Sequence, residues 1–258
     1  MNKLRYIPPI LVALAIGILQ FQAAPQKKEA RVTQVIKDVR LLVSRAGSRP
    51  ASVNDMVNEG SAVRTGAESR AEITFMDRTL MRLGANTVFS FNEGGRGVEL
   101  LSGAILLAAP ENTGTTKVKM VGVASAAVSG FAAMFETHRN SQSKVIILDG
   151  DGTITLDNVP GSSCPIHAGQ MMVIPAHPVT CPPVYDINIA KLVGTAKLVT
   201  LWPLPPWILD PVLHNADKQK DSGPNGGYVD PTSVDPIDQH EATELIIKPR
   251  PQGTPGGL

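Results

Sequence analysis

The chain has 258 residues, 18% of them charged and 43% hydrophobic, and a formal net charge of +1. That length allows one domain of ordinary size with extensions. A nearly neutral chain without a basic face excludes the phosphate neutralisation on which nucleic-acid binding rests.

The first residues read as a secretory signal. Lys3 and Arg5 form a short basic start, Ile10 to Leu19 an uninterrupted apolar run, and Gln20 to Ala24 a polar, small-residue end that predicts cleavage near Ala23 or Ala24. The apolar run is shorter than the roughly 20 residues a membrane span needs. Phe21 and Gln22 are poor residues before a cut, and Pro25 follows at once, so an uncleaved anchor over residues 7–21 stays open beside a cleaved signal over residues 1–24. Both readings imply export, to the periplasm or beyond the cell, with the inner membrane as the site of any anchor. Removing residues 1–24 takes away two basic and no acidic residues, leaving a net charge of −1. No polybasic amphipathic segment marks a lipid-binding helix.

Residues 30–185 read as one β domain. Val32 to Val43 is ambiguous between helix and long strand, and its β-rich company favours strand. Short apolar segments then follow at Ser61–Arg64, Ala71–Phe75, Leu80–Leu83, Val88–Phe91, Val98–Leu101, Ala104–Ala108, Lys117–Val121, Ala124–Val128, Ala132–Glu136, Lys144–Leu148, Thr153–Leu156 and Met171–Pro175. Period-two alternation broken by Gly, Asp and Asn predicts strands: Ala71, Ile73 and Phe75 share one face, Glu72, Thr74 and Met76 the other. Nothing with βαβ spacing interrupts them. The expected class is all-β, a short-stranded β-solenoid-like or two-layer domain.

Residues 186–201 predict one short packed helix, with Asp186 as its cap and Ile189, Leu192, Val193, Ala196 and Val199 at helical spacing. From 202 to 258 the composition turns to Pro, Gly, Asp and Lys. Trp202-Pro-Leu-Pro-Pro-Trp207 predicts extended, polyproline-like chain, and the remainder a disordered tail too poor in apolar residues to offset its ordering entropy. Within it, Ala242 to Lys248 is an apolar island suited to a docking strand or short linear motif.

Cys164 and Cys181 are the only cysteines. An even pair in an exported chain predicts a disulfide. The spacing Cys164-x2-His167 and His177-x3-Cys181 also fits a tetrahedral zinc site, and the oxidising compartment favours the disulfide. His138, at a strand end, and His214 and His240, in or near the tail, read as surface histidines. Asp149-Gly150-Asp151-Gly152 lacks the spaced ligands and closing Glu of a calcium loop and reads as a hairpin turn. Gly94-Gly95-Arg96-Gly97 likewise reads as a turn rather than a phosphate cradle. No acid, base and nucleophile are grouped, so catalytic residues, cofactors and metals are expected to be none.

The run Gly60…Val63-Arg64-Thr65-Gly66…Ser69-Arg70-Ala71-Glu72-Ile73…Asp77-Arg78-Thr79 resembles the opening of the FecR-type domain of bacterial cell-surface signalling regulators. Three further segments keep the family's order: Val98 to Leu107 resembles its strand–Gly–strand hairpin, Val118 to Phe135 its Val, Thr, Ala, then Gly, Phe segment, and Val145 to Ile154 with Ala168-Gly169-Gln170 its closing turn. Together they span about residues 59–175. Val128-Ser129-Gly130-Phe131 stands where the family has Arg-Gly-Thr, which keeps the Gly and puts any contact of that Arg in doubt. The resemblance implies a β-rich periplasmic domain that makes protein contacts, without implying iron transport or sigma-factor control. The expected function is a non-enzymatic interaction module of the bacterial envelope, in signalling or envelope organisation, with envelope proteins as partners. Strand edges and the Pro-rich segment are the expected docking surfaces. The alternative is a glycan- or polymer-binding β domain, disfavoured because the domain has the phenylalanines Phe75, Phe89, Phe91, Phe131 and Phe135 and no Trp.

Overall fold

The computed structural model describes residues 29–43, 47–91, 97–138 and 142–221. The signal segment, the Gly94–Arg96 turn and the tail beyond residue 221, with its island at Ala242–Lys248, lie outside the described residues.

In chain order the strands are β1 (Ala30–Ile36), β2 (Val39–Val43), β3 (Gly47–Pro50), β4 (Met56–Val57), β5 (Ala62–Thr65), β6 (Arg70–Phe75), β7 (Leu80–Leu83) and β8 (Val88–Phe91). Then come β9 (Gly97–Ala109), β10 (Thr115–Met120), β11 (Ala124–Thr137), β12 (Ser143–Leu156), β13 (Cys164–His167), β14 (Gln170–Ile174) and β15 (Val184–Asp186). The helices α1 (Ile189–Thr195), α2 (Lys197–Thr200) and α3 (Pro206–Asp221) close the described chain.

All strands belong to one mixed sheet that doubles over into two layers. The first layer runs β4-β1-β6-β7, then the second half of β9, the second half of β11, the first half of β12, and β14-β15. The second runs β3-β2-β5-β8, the first half of β9, β10, the first half of β11, the second half of β12, and β13. Only the β9–β10 pairing is parallel among these contacts. The facing sides of the layers share one core, with Val32, Ile73, Ile105 and Phe135 from the first layer against Leu41, Val63, Leu100 and Ile154 from the second. Two layers packed over a common apolar core are the stable way to bury one face of each.

Three long strands carry the chain from layer to layer, and each changes its hydrophobic phase where it bends. In β9, Val98 and Leu100 point into the core before Gly103, and Ile105 and Leu107 do so after it. In β11 the switch falls between Val128 and Phe131, and in β12 between Ile147 and Ile154. A period-two pattern turns over when one residue is inserted, which is the signature of a bulge. Gly103, Gly130 and Gly150 occupy these bends, all with positive φ (90°, 51° and 80°). An added Cβ at Gly103 would come within 2.3 Å of Thr87 Oγ1, and one at Gly150 within 2.5 Å of the Gly130 carbonyl oxygen. The bends therefore need glycine for backbone conformation and for close approach. The glycine that the resemblance retained at position 130 has this role.

Here the sequence reading is corrected. The six short segments Val98–Leu101, Ala104–Ala108, Ala124–Val128, Ala132–Glu136, Lys144–Leu148 and Thr153–Leu156 are the halves of three strands of 13, 14 and 14 residues. Asp149 to Gly152 is a mid-strand bend and not a hairpin turn, because β12 continues through it against both halves of β11. Val32 to Val43, expected as one strand, is broken at Lys37, whose positive φ of 58° sends β1 and β2 to different layers.

The outer face of the first layer carries a second core. Leu80, Leu106, Met134, Ile146 and Met171 are covered by Ile189, Leu192, Leu198, Ile208 and Val212 of the helices. The helix expected over residues 186–201 is two, broken at Ala196, whose ψ of 120° is extended. Its cap is Asn188, whose side chain accepts from the Lys191 N–H, while Asp186 ends β15. The polyproline reading is corrected at its end, since Pro203 to Pro205 lie in no helix but Pro206 opens α3, where a missing N–H costs nothing, and Ile208, Val212 and Ala216 recur every four residues as a buried stripe. Part of the segment read as tail is thus a packed helix.

Candidate interaction surface

The helices are fastened to the sheet by a residue that alternation alone treats as ordinary. Arg82, on β7, lies directly opposite Glu72 of β6 in the hairpin register. Its side chain is fully buried. Nε donates to Glu72 Oε2 at 2.9 Å, Nη1 to the carbonyls of Leu198 and Val199 at 3.0 and 2.9 Å, and Nη2 to the Pro203 carbonyl at 2.9 Å. Leu198 and Val199 lie in α2, whose last carbonyls have no partner within the helix. Thr33 Oγ1 donates to the other Glu72 oxygen at 3.0 Å, and the Trp202 ring lies 5.8 Å from the Arg82 guanidinium carbon. Burial pulls this guanidinium below its ordinary pKa, and the hydrogen bond and charge of Glu72 oppose that shift. It stays charged in any case.

Further along, Asn215 of α3 donates to the Leu148 carbonyl at 3.2 Å and to Asp149 Oδ1 at 2.8 Å, beside the β12 bend. Gln219 donates to the Ile187 carbonyl at 2.8 Å and accepts from the Ile189 N–H at 3.1 Å. Gly169, centre of the closing Ala168-Gly169-Gln170 turn, makes room for it: a Cβ there would lie 2.6 Å from Gln219 Nε2. The Pro-rich segment and α3 thus pack on the sheet through Leu204, Ile208, Val212 and Ala216, while Pro203, Pro206 and Trp207 remain exposed. The signal that could have revealed Arg82 is its position among Leu80, Met81 and Leu83 with an acidic residue at hairpin distance.

The cysteines are joined as a Cys164–Cys181 disulfide. It ties the buried end of β13 to the loop before β15. Replacing Cys181 by Ser will lower the unfolding free energy by about 3 kcal/mol, read as a shift of the urea midpoint that reducing agent reproduces in the unmutated protein. His167 and His177 are both exposed, and His167 Nδ1 lies 2.7 Å from Asp151 Oδ1 across the β12–β13 pair. Among the described residues, no three His, Cys, Asp or Glu side chains gather as a metal-ligand set. His138 Nε2 lies 2.7 Å from Glu136 Oε1, and Lys144 Nζ donates to Glu136 Oε2 at 3.2 Å. His214 is exposed on α3. All five phenylalanines of the β domain are buried, Phe91 in edge-to-face contact with Phe75 and Phe89 at 5.1 Å, so none offers a sugar platform.

Among the described residues, no α-helix packs on the outer face of the second layer. There the pairing aligns Glu99, Lys119, Ser125 and Thr155 in one row, Lys117, Ala127, Thr153 and Pro165 in the next, and Ser129, Asp151 and His167 in a third. Lys117, Lys119, Asp151, Thr155 and His167 are exposed, and Lys119 Nζ lies 3.8 Å from Glu99 Oε1. The sheet edges are poor templates by comparison. β4 has two residues and β15 three, β3 ends at Pro50, and β13 contains Pro165. Short edges and edge prolines block further strand pairing. The outer face of β10, the first half of β11 and the second half of β12 is therefore a polar surface on which no described α-helix packs.

Residues 61–151 match the family model described as FecR protein. No curated protein matches the chain. Two crystal structures of a candidate anti-sigma factor from Parabacteroides distasonis align with it, each 12% identical. One alignment covers 52% of this chain and 64% of that one with a TM-score of 0.42. The other covers 62% and 74% with a TM-score of 0.43. The chain thus spans less than two thirds of the length of the first. No helix among the described residues is long and apolar enough to cross a membrane.

Proposed function

We propose that this chain, whose residues 61–151 form a FecR-type domain, is an exported, non-enzymatic interaction module of the bacterial envelope that serves signalling or envelope organisation. The observation that carries the reading is the asymmetry of the two layers. One outer face is sealed by helices through Arg82, and the other presents an open polar sheet. The charges on that face, Lys117, Lys119, Glu99 and Asp151, form a pattern that a protein partner of complementary charge can match. The amino-terminal signal pattern supports export, and a disulfide suits an oxidising compartment.

The test is reversible crosslinking in the source bacterium followed by purification from the envelope fraction. The expected result is a discrete adduct with one envelope protein, lost when Lys117 and Lys119 are both changed to Glu while the fold is retained. A chain recovered from the cytoplasm, or adducts indifferent to that double change, would contradict the reading.

A further inference from the structure

We propose that Arg40 and Arg64, on the outer face of the second layer, form a seat for an oxyanion, a phosphate or carboxylate group held between two guanidinium groups. Alternation along β2 and β5 puts them there. Leu41 and Val63 point into the core, so Arg40 and Arg64, each one position away, point out of it. The register sets the two arginines directly opposite each other. Opposed residues on paired antiparallel strands have Cβ atoms about 4.5–5.5 Å apart, and like charges in that position destabilise the pair.

The surroundings leave this charge uncompensated. Among the described residues, no ion pair joins either guanidinium to a carboxylate. The acidic side chains of the nearby turns and strands are placed elsewhere. Glu68 pairs with Lys37, and Glu99 Oε1 lies 3.8 Å from Lys119 Nζ. Asp38 lies over Gly66, its Oδ2 3.1 Å from where a Cβ would stand. Pro50, Val88 and Ser102 complete the row of the two arginines, and none of them carries a charge.

One of the two guanidinium groups is also held in place. Half-buried Arg40 donates from Nε to Ser48 Oγ at 2.8 Å, which leaves its two Nη groups for a ligand, and Arg64 is exposed beside it. A planar guanidinium fixed at one edge presents the rest of its fork to an oxyanion, and such charge-assisted bonds are the strong ones. An anion between the two groups removes the repulsion that the strands bear without it. No described α-helix packs on this layer, so the seat is open to a ligand. It stands on β2 and β5, apart from Lys117 and Lys119, and does not rest on the partner reading above.

The test follows the arginine Nε–H resonances of the purified protein by NMR as sodium phosphate replaces sodium chloride at constant ionic strength. The signals of Arg40 and Arg64 are expected to move together and to saturate. Those of Arg31 and Arg78, exposed arginines outside the second layer, are expected to stay in place. Arg64→Gln, a surface change that spares the core, is expected to weaken phosphate binding at Arg40 about tenfold or more, the worth of a lost hydrogen bond to a charged group. In chloride the same variant is expected to unfold at the same urea concentration as the unmutated protein or a higher one, because the opposed charge is gone. Parallel titrations with glycerol phosphate and with succinate identify the source of the group by which saturates at the lower concentration. No saturation with any of the three anions, or equal movement of Arg31 and Arg78, would overturn the assignment. So would unchanged affinity at Arg40 in the Arg64→Gln variant.

Discussion

Replacing Arg82 by Met will lower the unfolding free energy by about 3–5 kcal/mol, the range for removing one member of a buried ion pair. Met fills a similar volume, so the loss measures polar groups left without partners rather than a cavity. Glu72, whose side chain is 12% exposed, loses its guanidinium partner. The carbonyls of Leu198, Val199 and Pro203 lose their donor at the same time. A buried acceptor without a partner costs about 1–3 kcal/mol. The effect is also directional: hydrogen exchange over residues 189–221 will rise more than over β10 and β11, because Arg82 joins the helices to the sheet. Arg82→Lys retains the charge but cannot fork to Glu72 and three carbonyls together, and it will fall between Met and the unmutated protein. Urea denaturation with exchange mass spectrometry checks both points. A loss below about 1 kcal/mol, the worth of an exposed pair, would show that the latch is not what holds the helical layer.

Gly150→Ala will destabilise by about 2–4 kcal/mol, since left-handed backbone strain for an L residue adds to a forced shift of neighbouring backbone. The added Cβ meets the Gly130 carbonyl oxygen at 2.5 Å and the Ser129 carbonyl oxygen at 3.1 Å, both of them main-chain atoms. Gly122 provides the control. Its φ is also +80°, but nothing lies within 4 Å of a Cβ there, so Gly122→Ala will show the strain alone, about 1–2 kcal/mol. Thermal or urea unfolding of the two variants separates conformation from crowding. Equal losses would mean that β11 and β12 yield at the bend, and that their close approach is not needed to turn the strands from layer to layer.

That bend also marks where the sequence could be read and where it could not. Alternation placed Ala71, Ile73 and Phe75 together on one face, which is the core face, because within one layer a strand obeys period two. It could not join Val98–Leu101 to Ala104–Ala108, because the phase slip at Gly103 looks the same as a turn between two strands. The same ambiguity made a hairpin of Asp149–Gly152. Looking for a one-residue phase change across a lone glycine, repeated three times, would have exposed the crossover. α3 was hidden by composition: Pro206 and Pro211 outweighed a stripe at 208, 212 and 216 that only becomes informative once a sheet face needs covering.

The candidate surfaces were less legible still. The open face of β10–β12 contains no motif, only the residues left over when the inward-facing partners are assigned. By contrast, the cysteine pair needed only parity and compartment. Of the resemblance segments, Val98–Leu107 and Val118–Phe135 fall inside residues 61–151, where the family model matches, the opening run does so apart from Gly60, and the closing turn at Ala168–Gln170 lies beyond it. That turn nonetheless has a physical task, since Gly169 receives Gln219.

The measurement that bears most directly on the account is position-specific photocrosslinking in the source bacterium, with the photoreactive residue placed in turn at Thr155, Leu213 and Val179. Thr155 stands on the open face of the second layer, Leu213 on the exposed side of the helices, and Val179 in the disulfide-tied loop. The account predicts one envelope-protein adduct from Thr155 and none of that mass from the other two. An adduct of the same mass from Leu213 with none from Thr155 would place the partner on the helical layer and contradict it.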